Sequence, residues 1–118
     1  MPQRPRLYPN EAVKRIIAFI PRGHLHTRLI LELEDQAIIL QEATVAAIVR
    51  AYASVALHPT RRATELASRR LPRGERKPLY AEHQLLETGR SEDEILDEAE
   101  KALAAAQAAA DTSPGEHS

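Results

Sequence analysis

The sequence predicts a small, helix-rich α+β domain, and three patterns carry that prediction. Residues 24–41 show the apolar and polar alternation that is typical of an antiparallel β-hairpin. Residues 42–57 and 91–108 show the apolar spacing of amphipathic helices. A hairpin followed by helices indicates an α+β arrangement in which the hairpin packs on the helix at 42–57.

Length and composition favour one soluble domain and exclude several kinds of chemistry. The chain has 118 residues, of which 43% are hydrophobic and 28% charged, so we expect a single domain over residues 8–110, with a flexible arm at 1–7 and a disordered tail at 111–118. The lack of Cys excludes disulfides and thiolate chemistry. No signal peptide or membrane-length apolar run is visible, so we expect a cytoplasmic protein that does not contact a membrane.

A first helix is expected at about residues 11–20. Asn10 can cap its free amide groups, and Pro21 and Gly23 follow its end. Its apolar residues recur three and four apart, as on one face of a helix, and are Val13, Ile16, Ile17 and Ile20.

The predicted hairpin has one leucine-rich side and one mostly polar side. The leucine-rich side consists of Leu25, Thr27, Leu29, Leu31 and Leu33 on the first strand and Ile38 and Leu40 on the second. If Glu34 and Asp35 form a two-residue turn, Ile30 faces Ile39 on the other side, where the remaining side chains are mostly polar. These two residues would then form an outward apolar spot on a ribbon that needs further packing to be stable.

The helix at 42–57 has two contrasting faces. We expect the broad apolar face to contact the core; its members are Val45, Ile48, Val49, Tyr52, Val55 and Ala56. On the opposite face Ala43, Ala47 and Ser54 leave Arg50 as the only charge, which lets another helix approach closely.

Three further helices are expected after Pro59. Thr60 would cap a helix over 60–71, and a weaker helical segment over 79–89 would end at Gly89. The last helix, over 91–108, begins with a capping box because Glu94 follows Ser91 at a spacing of three. Its apolar stripe is thin and rich in Ala, so we expect it to project or to dock on a partner.

Two histidines form the nearest approach to a metal motif. His24 and His26 point the same way if the segment is a strand, and two imidazoles can share an ion. Glu32 and Glu34 lie on that side too, but about 20 Å or more along an extended chain, too far to chelate with them. We therefore expect no metal, no cofactor and, in the absence of any catalytic motif, no enzyme activity.

Charge is strongly segregated in the second half of the chain. Residues 58–78 contain seven basic residues against two acidic ones, and residues 82–101 contain eight acidic residues against two basic ones. The two segments can attract each other, within one chain or between subunits. Alternatively, the basic segment can follow a nucleic-acid backbone. The residues that would make those contacts are Arg61, Arg62, Arg69, Arg70, Arg73 and Arg76.

The leading functional hypothesis is a non-enzymatic interaction or accessory protein that acts by assembly. Open ribbon edges and a bare helix face favour a homo-oligomer, with a twofold dimer preferred because one patch then pairs with its own copy. The predicted interface residues are Ile30, Ile39, Ala43, Ala47, Arg50 and Ser54. A different protein is a possible partner, and nucleic-acid binding is the alternative function.

Overall fold

The computed structural model describes residues 4–75 and 82–112, and within them the chain forms five β-strands and two α-helices. The elements in chain order are β1 (Val13–Phe19), β2 (Arg28–Leu33), β3 (Ala37–Gln41), α1 (Glu42–Ala56), β4 (Leu66–Arg70), β5 (His83–Glu87) and α2 (Glu92–Thr112). Short 3-10 turns precede β1 and follow β4. The predicted α+β class is confirmed. No helix in the described part of the chain is both long and apolar enough to cross a membrane.

The predicted hairpin is present, and it belongs to a three-stranded antiparallel sheet of order β1-β2-β3. Ile30 lies opposite Ile39, as expected for the two-residue turn at Glu34 and Asp35. The Leu33 amide closes that turn by donating to the carbonyl of Gln36 at 2.8 Å. The first predicted strand is shorter than expected, because residues 24–27 precede β2.

The helix predicted at 11–20 is wrong, because this segment forms strand β1. A β-bulge lies between Val13 and Arg15, so that Val13 pairs with Leu33 and Ile16 pairs with Leu31. The extra residue places Val13 and Ile16 on the same face at a spacing of three rather than two. The bulge therefore imitates helical spacing in a segment whose Ile, Val and Phe content suits a strand.

The helices predicted at 60–71 and 79–89 are also wrong. Residues 66–70 and 83–87 pair as the antiparallel ribbon of β4 and β5, in a register that places Ser68 opposite Leu85. Part of the second segment, residues 79–81, lies outside the described residues. Gly89 has a φ of +80° as a left-handed cap would, but it follows a strand. Pairing between distant segments has outweighed the helical propensity of the Ala, Leu and Arg residues in β4.

Helix α1 forms where it was predicted, but the face that it turns toward the rest of the chain is not the predicted one. It contacts β2, β3 and β5. Ala47, on the face of small residues, is only 3% exposed, whereas Ile48, Val49 and Tyr52 are 52%, 61% and 70% exposed. The prediction that these three residues belong to the core is wrong, because the small face is the one that allows β5 to approach.

Helix α2 begins as the sequence predicted and ends later. The Glu94 amide donates to Ser91 Oγ at 3.2 Å, and the Ser91 amide donates to Glu94 Oε1 at 3.2 Å, which is a reciprocal capping box. The helix continues to Thr112, so residues 111 and 112 of the predicted tail are helical. The rest of that tail lies outside the described residues.

Few side chains are fully buried. Among the described residues the buried hydrophobic side chains are Ala12, Leu33, Ala47, Leu71 and Ala106. The accessible surface of the chain is 9716 Å². A compact monomer of this mass would expose about 6,400 Å². The chain therefore exposes more surface than a compact monomer of its mass.

Candidate assembly surface

An apolar stripe runs along α1; we call it the α1 stripe and define it as Val45, Ile48, Val49 and Tyr52. These residues are spaced by three and four, so they lie along one side of the helix. Val45 is half-buried and the other three are exposed. Contiguous exposed apolar side chains often mark an interaction site, whereas single exposed apolar residues are ordinary surface.

The three-stranded sheet adds exposed isoleucines. The register aligns Ile17, Ile30 and Ile39 across the three strands on one face. The first two are half-buried, and Ile39 at the end of the row is 65% exposed. Ile16 belongs to the opposite face and is also exposed. The outward apolar spot predicted at Ile30 and Ile39 thus continues into β1.

The small face of α1 is largely covered within the chain. Ala47 is buried, and the Arg50 guanidinium donates to the carbonyl of Leu85 in β5 at 2.8 Å. Ser54 Oγ donates to the Arg50 carbonyl at 2.9 Å, and Ala43 remains exposed near the start of the helix. Three of the six residues predicted as an interface, Ala47, Arg50 and Ser54, therefore make contacts within the chain, and the exposed apolar residues of α1 lie elsewhere on the helix.

A polar cleft of about 470 Å³ lies between the start of α2 and the β4–β5 ribbon. The Arg90 guanidinium donates to Glu98 at 2.9 Å and to Glu65 at 3.0 Å, and these contacts, with that to Glu98 the stronger, raise the pKa of Arg90. Glu92 accepts the backbone N–H of Arg62 at 2.7 Å, which lowers the pKa of Glu92. The charged side chains of the cleft are therefore engaged with one another and with backbone N–H groups.

The predicted nucleic-acid residues are distributed among intrachain ion pairs. Arg69 pairs with Glu75 at 3.4 Å, and Arg70 pairs with Glu82. Arg61 approaches Glu87 at 3.9 Å, so two of these contacts join the basic segment to the acidic one. Arg62 and Arg73 lie nearby at exposed positions, and Arg76 lies outside the described residues. Carboxylates beside the arginines weaken the positive field that a phosphate backbone would meet.

The two histidines do not form a metal site with the residues that the structure describes. His26 Nδ1 lies 3.4 Å from Glu42 Oε2, while His24 is exposed in the preceding loop. Glu42 Oε1 accepts the backbone N–H of Thr27 at 2.6 Å; this bond, followed by that to His26, lowers the pKa of Glu42. No group of three His, Cys, Asp or Glu residues converges anywhere in the described ranges.

Glu42 is a contact that the sequence interpretation missed. The two carboxylates that were considered, Glu32 and Glu34, pair instead with Arg15 at 2.8 Å and with Arg6 at 3.5 Å. Glu42 approaches His26 because β3 returns alongside β2 before α1 begins. Glu42 directly follows the second strand of the hairpin, and His26 lies just before the first. These two ends of an antiparallel hairpin lie side by side, and this was the signal in the sequence.

The start of the described chain is attached to the hairpin turn. The Arg6 guanidinium pairs with Asp35 and stacks over the Tyr8 ring at 4.7 Å. Tyr8 Oη donates to Asp35 at 3.2 Å and accepts from Gln36 Nε2 at 3.0 Å. Residues 1–7 were expected to form a flexible arm. These contacts hold Arg6, which belongs to that segment, against the sheet.

Comparisons with protein-family models, curated proteins and solved structures find no match for this chain. No residue role is carried over from a relative. The functional conclusion therefore depends on the exposed apolar surface and on the internally paired charges.

Proposed function

We propose that this chain is a non-enzymatic assembly protein that forms a twofold homodimer, with the α1 stripe in the interface. The observation that carries the proposal is the exposure of Ile48, Val49 and Tyr52 on one side of a helix whose small face is already packed. In a twofold dimer the same stripe on each subunit covers the other, so one surface suffices.

Association can bury apolar side chains that a single chain leaves in water. Removing a large aliphatic or aromatic side chain from water contributes about 1.5 to 3 kcal/mol. Among the described residues the buried hydrophobic side chains are two leucines and three alanines, whereas the stripe and the sheet leave larger side chains in water. Association lets the same residues that fail to bury within one chain stabilise the folded state.

The arrangement also assigns roles to the two layers around α1. We propose that Leu29, Leu31 and Leu33 of the hairpin pack beneath the helix, while the α1 stripe faces the partner. Contacts of α1 with both β2 and β3 support this arrangement. The charged network of the second half then remains outside the interface.

The test is the molar mass in solution, measured by light scattering or sedimentation over a range of micromolar concentrations. We expect the wild-type chain to have twice the mass of one subunit. Ile48→Asp should shift the protein to monomer, because an aspartate in the stripe would have to be desolvated on association.

Ala43→Asp is the matched control, because it places the same charge at an exposed position on the small face of the same helix. It should leave the dimer intact. Dissociation by Ala43→Asp but not by Ile48→Asp would place the interface on the small face instead. A wild-type monomer at every concentration would overturn the proposal.

Nucleic-acid binding has weaker support. Three of its candidate arginines contact carboxylates of the same chain, and the protein has a formal net charge of −1. Aromatic residues that could stack on bases make up only 3% of the sequence. The charges favour contacts within the chain over contacts with a polyanion.

A further inference from the structure

The two outer strands of the three-stranded sheet differ in how their free edges are protected. Strand β1 carries Lys14 and Arg15 and is interrupted by the bulge, and both charges and bulges discourage pairing with another chain. Strand β3 has the sequence AIILQ, with no charge, proline or bulge. Within the described residues it is the last strand of its sheet.

The direction of the backbone groups on β3 follows from the hairpin. The bond from the Leu33 amide to the Gln36 carbonyl shows that residues 33 and 36 form a hydrogen-bonded pair. Such pairs alternate along an antiparallel ladder, so Ile38 and Leu40 direct their backbone groups toward β2. The backbone groups of Ala37, Ile39 and Gln41 consequently point away from the sheet.

A bond on the other side of β2 agrees with this assignment. The Glu34 amide donates to the Ala12 carbonyl at 2.9 Å, so even-numbered residues of this strand region face β1. The odd-numbered residues of β2 therefore face β3. Both hydrogen bonds therefore assign the odd-numbered residues of β2 to the side of β3 and the even-numbered residues to the side of β1.

We propose that β3 pairs with β3 of a second copy, antiparallel and centred on Ile39, to form one continuous six-stranded sheet. This inference rests on the proposed self-association and specifies its geometry. Ile39 lies opposite Ile39 of the partner subunit, and Ala37 lies opposite Gln41 of the partner subunit.

The chemistry of the edge favours a second copy as the occupant. The central residue is apolar and meets itself, and no charged residue meets another within the paired segment. The Ile39 pair can exchange two backbone hydrogen bonds. Each Gln41 N–H can add one bond to the facing Ala37 carbonyl, while the Gln41 carbonyl is used by the first turn of α1.

The chain contains no Cys, so single cysteines can report this register. Facing residues in a hydrogen-bonded pair have Cα atoms about 5.5 Å apart, within the disulfide range of about 4.4 to 6.8 Å. Under mild oxidation Ile39→Cys should form a covalent dimer nearly quantitatively on a non-reducing gel.

Ala37→Cys is the matched control on the same strand. In the proposed register its two copies lie about 14 Å apart, so it should not crosslink with itself. Mixing it with Gln41→Cys and allowing subunits to exchange should give the crosslinked heterodimer, because those two positions face each other.

The outcomes separate this inference from the proposed function. A noncovalent dimer in which Ile39→Cys stays reduced under the same oxidant would overturn the edge pairing and leave the α1 stripe as the interface. Self-crosslinking of Ala37→Cys as efficient as that of Ile39→Cys would also overturn the register. A monomer by light scattering would overturn both proposals.

Discussion

The two halves of this molecule differ in the side chains that they expose to water. Residues 4–57 contain the three-stranded sheet and α1, and they leave isoleucine, valine and tyrosine side chains in water. Residues 58–75 and 82–112 contain the β4–β5 ribbon and α2, where arginines and glutamates form ion pairs and a capping box begins the helix. The first half is therefore the part in which the proposed interface lies.

The physical reason lies in how the two kinds of surface respond to water. Exposed charges are well solvated, and surface ion pairs contribute little free energy, so the second half gains little from association. Exposed apolar surface carries a cost that only burial removes. The segregated charges thus organise the second half internally, whereas the apolar stripe and the β3 edge favour a second subunit.

The largest expected change in stability comes from a substitution in the core of the first half. Leu33→Ala removes a buried side chain that is 6% exposed, and we expect the free energy of unfolding in urea to fall. The loss should be about 2 to 5 kcal/mol, since a cavity remains.

The control for this prediction is Leu25→Ala, at a position that is 87% exposed. Its effect should be within about 0.5 kcal/mol, as is usual at surface sites. Both proteins must be compared at the same subunit concentration, because the stability of a dimer depends on concentration. Equal losses for the two variants would show that Leu33 is not packed as described.

A smaller effect is expected at the start of α2. Ser91→Ala removes the hydroxyl that accepts the Glu94 amide, and it should lower the free energy of unfolding by about 1 kcal/mol. Ser68→Ala, at an exposed position on β4, is the control and should have almost no effect. Because α2 belongs to the self-contained half, the molar mass should stay unchanged; a shift to monomer would contradict the division between the halves.

The smallest effect concerns pH. The backbone N–H of Arg62, with a lesser contribution from Ala63, lowers the pKa of Glu92 below its usual value of 4.5. The stabilisation is therefore present above the unfolded-state pKa and is lost as the pH falls through the folded-state pKa. Glu92→Gln should reduce the loss of stability on acidification, measured by urea unfolding at a series of acidic pH values.

Asp93→Asn is the matched control, since it removes one negative charge from the same helical turn. The acid dependence should change more for Glu92→Gln than for Asp93→Asn. Identical changes in the two variants would mean that general charge at the helix start, rather than the bond to Arg62, causes the effect.

The candidate surface could be predicted only in part. The apolar spot at Ile30 and Ile39 followed from the hairpin turn, and the structure leaves Ile39 exposed. The apolar residues of α1 were recognised as one face, but that face was assigned to the core. A periodic pattern identifies an apolar face and contains no information about whether the chain itself covers it.

By itself the sequence determined the elements whose signals are local: the presence of the hairpin, the extent of α1, and the capped start of α2. Only the tertiary structure decided that 13–19 and 66–70 are strands and that α1 turns Ala47 inward. A turn or a cap is completed by residues within a few positions, so its pattern can be read directly. Strand pairing and helix orientation depend on segments far along the chain, whose contacts outweigh local propensity.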